Sequence, residues 1–502
     1  MSSETQVQSE QAEAEVKELT PLSSLLSKVN MEKPDDKMSL EDALSNESDS
    51  GRLMFAIDQL IEEIGSTGQK VDRLDKQIID IAISNIDKKI SSQVRAIMHH
   101  PDFKSLEASW RGLYFAVNRT NFEKNITVEI INCPKEKLVD DFDDVGEDIL
   151  ESGLYKQLYD QAYNTPGANP VSMVVANYEL DRKVKSMELL EKASKVCAAS
   201  HCPLITSVGS EFFGVKSLDE LTNKSDIDAI FEQNEYVKWR SFRETEDSKY
   251  VGLTMNRFML RLPYDPENAP AKTFDYHEFD PSEENIDAND YLWGNPAFAF
   301  MANVNRSFAK NGWAVNIRGP RAGGKVEDLP VHLYQSAGTT QKRLPTEMLI
   351  FEDKEYKLSQ NGLIPLSPYK NNDYAVFFAA HSGQNPGKND ADAKLAANLP
   401  YLFLVSRLSH YLKVLQREEI GASKEKDELQ EELNIWINTL VTKAANPSEE
   451  QKAKYPLRDA SVSVQDNPDA PGYYKVTMTV RPHFQIEGVN IDLSLVSRMP
   501  SK

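Results

Sequence analysis

Near the C-terminal end of the chain, apolar and polar residues alternate with period two in three short runs, 461–465, 475–481 and 489–495. Successive side chains of a strand point to opposite faces, so each run predicts a strand with one buried and one wet side. Val476, Met478 and Val480 share a face of the second run; Val489, Ile491, Leu493 and Leu495 share a face of the third. Asp469-Ala470-Pro471-Gly472 supplies turn residues between the first pair, and 482–488 does so between the second. Three such strands make a small antiparallel sheet with open edges, and an open edge must be covered or paired. No helical pattern follows the last run. Addition of a strand from another polypeptide is the leading expectation; cover by elements earlier in the chain is the other.

Residues 2–17 are rich in Glu, Gln, Ser and Ala, a composition that stays disordered. Thr20 then suits an N-cap and Pro21 the first helical position, and Leu22, Leu25, Leu26 and Val29 fall on one stripe. A helix of about ten residues is marginal alone in water. It reads as a short motif that folds into a partner's groove, with docking on its own domain as the alternative. Residues 32–50 form an acidic linker. Helices are expected over 52–64 and 69–98. In the second, Val71, Leu74, Ile78, Ile81, Ile86, Ile90, Val94 and Ile97 make a stripe expected to face a core. Pro101 ends that helix, since the residue before a proline avoids the helical conformation. A further helix over 103–118 and a strand over 125–132, carried by Ile126, Val128 and Ile130, come next.

Strands and helices then alternate. Strands are expected at 170–176, 203–207, 257–262 and 314–318, and helices at 181–199, 218–231 and 295–311. That order favours a mixed α/β fold. Helices over 399–418 and 423–442 lead to the terminal strands through a linker over 447–456. Three parts are expected: a flexible tail with a short amphipathic helix (1–50), a main α/β domain (51–370), and C-terminal helices with an inter-subunit strand sheet (371–502).

Charge narrows the partners. With 57 Lys+Arg against 78 Asp+Glu in 502 residues the formal net charge is −21, which argues against nonspecific binding to nucleic acid or anionic membrane. There is no apolar run of transmembrane length and no signal-peptide pattern, so a soluble cytosolic protein is expected. Cys133, Cys197 and Cys202 are too few for a disulfide framework.

Candidate chemistry is sparse. Gly319 to Lys325 fits the first seven positions of a phosphate-binding loop, but Val326 stands where a magnesium-binding Ser or Thr belongs, and Pro320 removes a backbone donor. A glycine-bearing surface loop is the preferred reading; nucleotide binding through Lys325 is the rival one. Cys197, His201 and Cys202 lie close together without a second ligand pair, so buried residues at a helix end are expected. His99 and His100 suit a helix terminus. The run of aspartates from Asp140 to Asp148 lacks calcium-loop spacing. No nucleophile elbow or catalytic histidine pairing is found, so no catalytic, cofactor or metal residue is assigned.

Several segments resemble the large contractile-sheath subunit of bacterial type VI secretion systems, the VipB/TssC family. They are His100-Pro101-Asp102-Phe103 with Trp110-Arg111-Gly112-Leu113, Phe212-Phe213-Gly214-Val215, Arg261-Leu262-Pro263-Tyr264, Trp293-Gly294-Asn295-Pro296-Ala297, and the stretch 313–333. Val480-Arg481-Pro482-His483-Phe484-Gln485-Ile486-Glu487-Gly488, with Leu495-Val496-Ser497-Arg498, is similar to that family's closing signature. The resemblance implies a structural, non-enzymatic sheath subunit of the bacterial cytoplasm. It implies pairing with a small sheath subunit (VipA/TssB type) and stacking of the pairs in helical rings of sixfold symmetry around an inner tube (Hcp type) on a baseplate. It also implies strand exchange between neighbours and recognition of the helix at Leu22 to Val29 by a recycling ATPase (ClpV type). A phage-tail-like sheath built from one chain is the related alternative.

Overall fold

A computed structural model describes residues 76–483 apart from 225, 271–274, 280–285, 337, 388–390, 419–424 and 467–473. The expected helix at Leu22, Leu25, Leu26 and Val29, the helix over 52–64 and the strand carrying Val489, Ile491, Leu493 and Leu495 lie outside the described residues. The chain divides into two compact units.

The first unit comprises, among the described residues, those up to Ala108 with Arg261–Leu292 and Gln335–Thr340. Helix α1 (Lys76–Met98) is followed by α2 (Pro101–Asn118), with Pro101 opening the new helix; α2 runs on into the second unit. Ile81 and Ile90 of the stripe on α1 were expected against a core, yet both are exposed, Ile81 by 51%. The periodicity was right about the helix and silent about what covers it. Within this unit Arg261 makes paired bonds to two carboxylates, Glu107 at 2.7 and 3.1 Å and Glu278 at 2.6 and 3.1 Å. Arg261, Glu107 and Glu278 side chains are 9%, 12% and 3% exposed. A desolvated guanidinium is tolerable there because both its edges meet fixed acceptors.

The second unit holds a six-stranded sheet. Its strands are β1 (Val174–Leu180), β2 (Leu204–Val208), β3 (Val251–Met255), β6 (Lys325–Val326), β7 (Leu363–Pro368) and β8 (Ala375–Phe377), in the order β1-β2-β3-β7-β8-β6. The short strands β4 (Phe258–Met259) and β5 (Trp293–Gly294) pair separately. β1, β2, β3 and β7 run parallel, while β8 and β6 are antiparallel to their neighbours. β2, β3 and β7 are buried along their whole length, the mark of a sheet covered on both faces. Helix α3 (Val184–Ser200), capped by His201 in the left-handed conformation, and helix α4 (Pro296–Asn311), capped by the Asn295 side chain on Ala297 N–H at 2.9 Å, pack on it. Cys197 and Cys202 are fully buried at the end of α3. Helix α5 (Glu352–Gln360) precedes β7; α6 (Leu399–Glu418) and α7 (Lys426–Asn438) lead to β9 (Leu457–Asp466) and β10 (Tyr474–Pro482).

Several expectations are corrected. No strand forms at 125–132, where Ile130 is 67% exposed, because no neighbour completes a ladder. Residues 314–318 are turn and coil, with Val315, Ile317 and Arg318 buried and a single bridge from Arg318 to Gly323. The strand at 257–262 shrinks to Phe258–Met259, and the long buried strand lies just before it at β3. Gly252 hid β3: a Cβ there would lie 2.8 Å from the Cδ1 of Ile205 and 2.9 Å from that of Leu399, so any side chain would displace its packed neighbours. The helix over 218–231 is two short ones, Asp219–Asn223 and Asp228–Phe231. In the linker over 447–456, Glu449–Lys454 is helical with a Ser448/Gln451 capping box.

Candidate assembly interface

β9 and β10 form an antiparallel hairpin in register from Asp466 opposite Tyr474 to Asp459 opposite Arg481, with a register shift before Leu457 opposite Pro482. The first two expected strands are thus present and paired with each other. Val462, Val464 and Leu457 of β9 are buried with Leu433 and Ile437 of α7, Leu404 and Leu408 of α6, and Trp313 and Val315. Met478 and Val480 of β10 are half-buried against the same cluster, and Val476 is exposed.

The two edges of the hairpin are unlike. On the outer edge of β9, the amide of Asn434 in α7 grips one residue twice: Val462 N–H donates to its Oδ1 at 2.9 Å, and its Nδ2 donates to Val462 O at 2.8 Å. Val464 N–H donates to Gln430 Oε1 at 3.0 Å, and Thr442 N–H to Leu457 O at 2.9 Å. Side-chain amides of a helix therefore stand where a neighbouring strand would stand. This fixes the ladder phase. Val462 and Val464 turn their backbone groups to α7, so their opposite numbers Met478 and Val476 turn theirs away from β9, as does Val480 opposite Ala460. Among the described residues no strand pairs with that edge of β10. The chain leaving β10 is anchored at His483, whose N–H donates to Pro456 O at 3.2 Å, whose carbonyl accepts from Tyr401 Oη at 3.1 Å, and whose Nε2 lies 2.8 Å from Thr442 Oγ1.

The sequence placed Val476, Met478 and Val480 on one strand. It did not show that α7 closes the other edge, because two amides four residues apart on a helix carry no pattern of their own. Apolar side chains are also exposed on α2, where Leu106, Trp110 and Tyr114, at four-residue spacing, are 47%, 63% and 67% exposed.

The Gly319–Lys325 loop is not built as a phosphate cradle. Gly319 N–H donates to Phe377 O at 2.7 Å and Gly324 N–H to Gly319 O at 2.9 Å, so these donors are spent. The carbonyls of Gly323 and Lys325 accept from Arg306 Nη2. The loop turns acceptors rather than donors towards Arg306, the reverse of an anion nest. Lys325 Nζ sits 2.7 Å from Glu327 Oε1 and 4.0 Å from the centre of the Tyr374 ring. Gly323 has φ 89°, and a Cβ there would strike Asn316 O; Gly324 has Phe377 O in the same relation. The glycines serve close backbone packing. Among the described residues no helix is long and apolar enough to cross a membrane.

Residues 80–384 match the model of the EvpB/VC_A0108 tail sheath N-terminal domain, and residues 388–499 that of the EvpB/VC_A0108 tail sheath gpW/gp25-like domain. The type VI secretion system sheath protein TssC1 of Pseudomonas aeruginosa is 40% identical over 431 residues, 84% of this chain and 86% of that protein. Slighter likenesses join the chain to the anti-feeding prophage baseplate (TM-score 0.36, 9% identity, 75% of this chain and 84% of that chain) and to its contracted helical sheath (TM-score 0.33, 10% identity, 64% and 69%). Two family models spanning most of the sequence, and a relative at this identity over nearly its whole length, place the chain in the VipB/TssC family, the large contractile-sheath subunits of type VI secretion systems.

Proposed function

We propose that this subunit joins a small sheath subunit of VipA/TssB type in helical rings around an inner tube of Hcp type, in the bacterial cytoplasm, and that neighbours are linked through the free edge of β10. The observation that carries the linkage is the asymmetry of the hairpin: α7 satisfies the β9 edge, and the backbone groups of Val476, Met478 and Val480 point outward. Backbone ladders hold through directional bonds that do not depend on side-chain identity, so a linked strand can stay paired while the bodies it joins rotate. The strand over Val489, Ile491, Leu493 and Leu495 is the segment assigned to pair with a neighbour. Contraction then draws on the difference in buried inter-subunit surface between two packings of one assembly. The protein acts by assembly and not by catalysis. Leu22, Leu25, Leu26 and Val29 are assigned to recognition by a ClpV-type recycling ATPase.

The test is electron microscopy of the chain expressed with the small subunit. Met478→Pro removes an outward N–H and leaves the bonds to β9 intact, so the chain is expected to fold while ribbed tubules disappear. Full-length tubules from this variant overturn the linkage. For the N-terminal motif, Leu25→Asp with Leu26→Asp is expected to abolish ATPase binding, and unchanged binding overturns that assignment.

A further inference from the structure

A cavity of about 290 Å³ in the second unit is lined by Asn118, Arg119, Asn303, Arg306, Glu327 and Asp328, with Ala302 and Val326 at its apolar side. Two guanidinium groups meet there. Arg119 is held with its Cζ 3.9 Å from the Phe115 ring centre, and its Nη2 donates to the carbonyls of Glu327 at 2.8 Å and Asp328 at 3.4 Å. Arg306 spends Nη2 on Asn303 Oδ1 at 2.8 Å and on the loop carbonyls of Gly323 and Lys325, while Nη1 has Glu327 Oε2 only at 3.9 Å. Glu327 is drawn the other way by Lys325 at 2.7 Å. The third donor is Asn303. Its side chain is 2% exposed, its Oδ1 is occupied by Arg306, and its Nδ2 has no hydrogen-bond partner among the described residues.

A buried amide N–H₂ left unpaired costs free energy that native structures rarely leave uncompensated. Burial also pushes both guanidinium groups below the ordinary arginine range: the carboxylates nearby do not fully restore Arg119, which the Arg306 charge lowers further, and Glu327 does not restore Arg306. An acceptor with negative charge placed between the two guanidinium groups would offset the burial of both and could also accept from the Asn303 amide. Arginine forks match the spacing of oxygens on phosphate and carboxylate groups, and the volume lies near the lower end of small-ligand sites, enough for such a group with a small substituent.

We propose that this cavity is an oxyanion site, in which Arg119, Arg306 and the Nδ2 of Asn303 converge on a phosphate-type group. Asn303 and Arg306 lie on α4 and Arg119 is the residue that follows α2, so the bound anion ties the end of α2 to α4. Glu327 is its internal competitor. This site is independent of the strand linkage at β10.

The experiment titrates the full chain with potassium phosphate against potassium chloride at matched ionic strength and follows thermal unfolding. A saturating upward shift in melting temperature is expected, with apparent affinity at least about tenfold weaker in Arg119→Gln and in Asn303→Asp, one charge-assisted bond in each case. Glu327→Gln removes the competing carboxylate and is expected to tighten binding. An acetate arm distinguishes the source of the oxygens: a stronger effect of phosphate assigns a phosphate group, and an equal effect of acetate assigns a carboxylate. Absence of a saturating shift overturns the proposal. So does a shift of the same affinity in all three variants, which marks an adventitious ion only.

Discussion

Asn434→Ala isolates the contribution of the helix that stands in for a strand. The Asn434 side chain satisfies both backbone groups of Val462, a residue only 4% exposed, at 2.9 and 2.8 Å. Removing it orphans one donor and one acceptor, each costing about 1–3 kcal/mol when buried. Asn434 itself is half-buried, so water replaces part of what is lost. About 2 kcal/mol in total follows, equivalent to roughly a 30-fold fall in local protection. Hydrogen exchange at the Val462 amide reads this directly, since its acceptor is the deleted atom. Asn438→Ala is the matched control: its Nδ2 bonds only Asn434 O within α7, in an exposed setting. The expected result is fast exchange spreading from Val462 to Val464 in the first variant and native rates in the second. Equal exchange in the two variants refutes the view that the β9 edge is closed by α7, and with it the asymmetry between the two edges of the hairpin among the described residues.

Other outcomes follow from the same structure. Gly324→Ala sets a Cβ against the backbone of Phe377, Gly319 and Arg318, where no rotamer change gives relief; thermal unfolding should show a loss of about 3 kcal/mol, and a loss below about 1 kcal/mol contradicts the packing role given to this glycine. Burial of Glu278 opposes its ionisation, but His99 at 3.4 Å, Arg261 and the Tyr264 N–H more than offset it and bring the carboxyl down to about 2. Because the folded value lies below the ordinary glutamate value, the stabilisation is full above about pH 4.5 and drains as pH falls towards about 2; Glu278→Gln should flatten this limb of a pH–stability curve, and an unchanged limb removes the network from the account. Glu355, pushed up to about 7 by burial and the nearby Glu352 despite the Ser359 hydroxyl, behaves oppositely. Stability is lost as pH rises from about 4.5 to about 7 and levels off above, so Glu355→Gln should gain relative stability across that window and hold it at higher pH, and a pH-independent difference refutes that reading.

The sequence by itself determined the local elements whose patterns are complete within a few residues. Helices α1, α3, α4 and α6 and strands β9 and β10 were legible because a 3.6-residue or two-residue period needs no partner to be visible. The unsuitability of Val326 in a phosphate loop was equally local. Tertiary structure decided everything that depends on what lies across from a residue. β3 and β7, at the centre of the sheet, were missed because Gly252, Pro365 and Pro368 break the strand signal, while their neighbours supply the burial that makes strands of them. Residues 125–132 carried an alternating pattern yet form no strand in the isolated chain, since a strand exists only when another completes its ladder. The same physics separates the two edges of the C-terminal hairpin. Composition marks Val462 and Met478 alike as strand residues; only the position of Asn434 closes the backbone edge of the first, while among the described residues no strand pairs with that of the second.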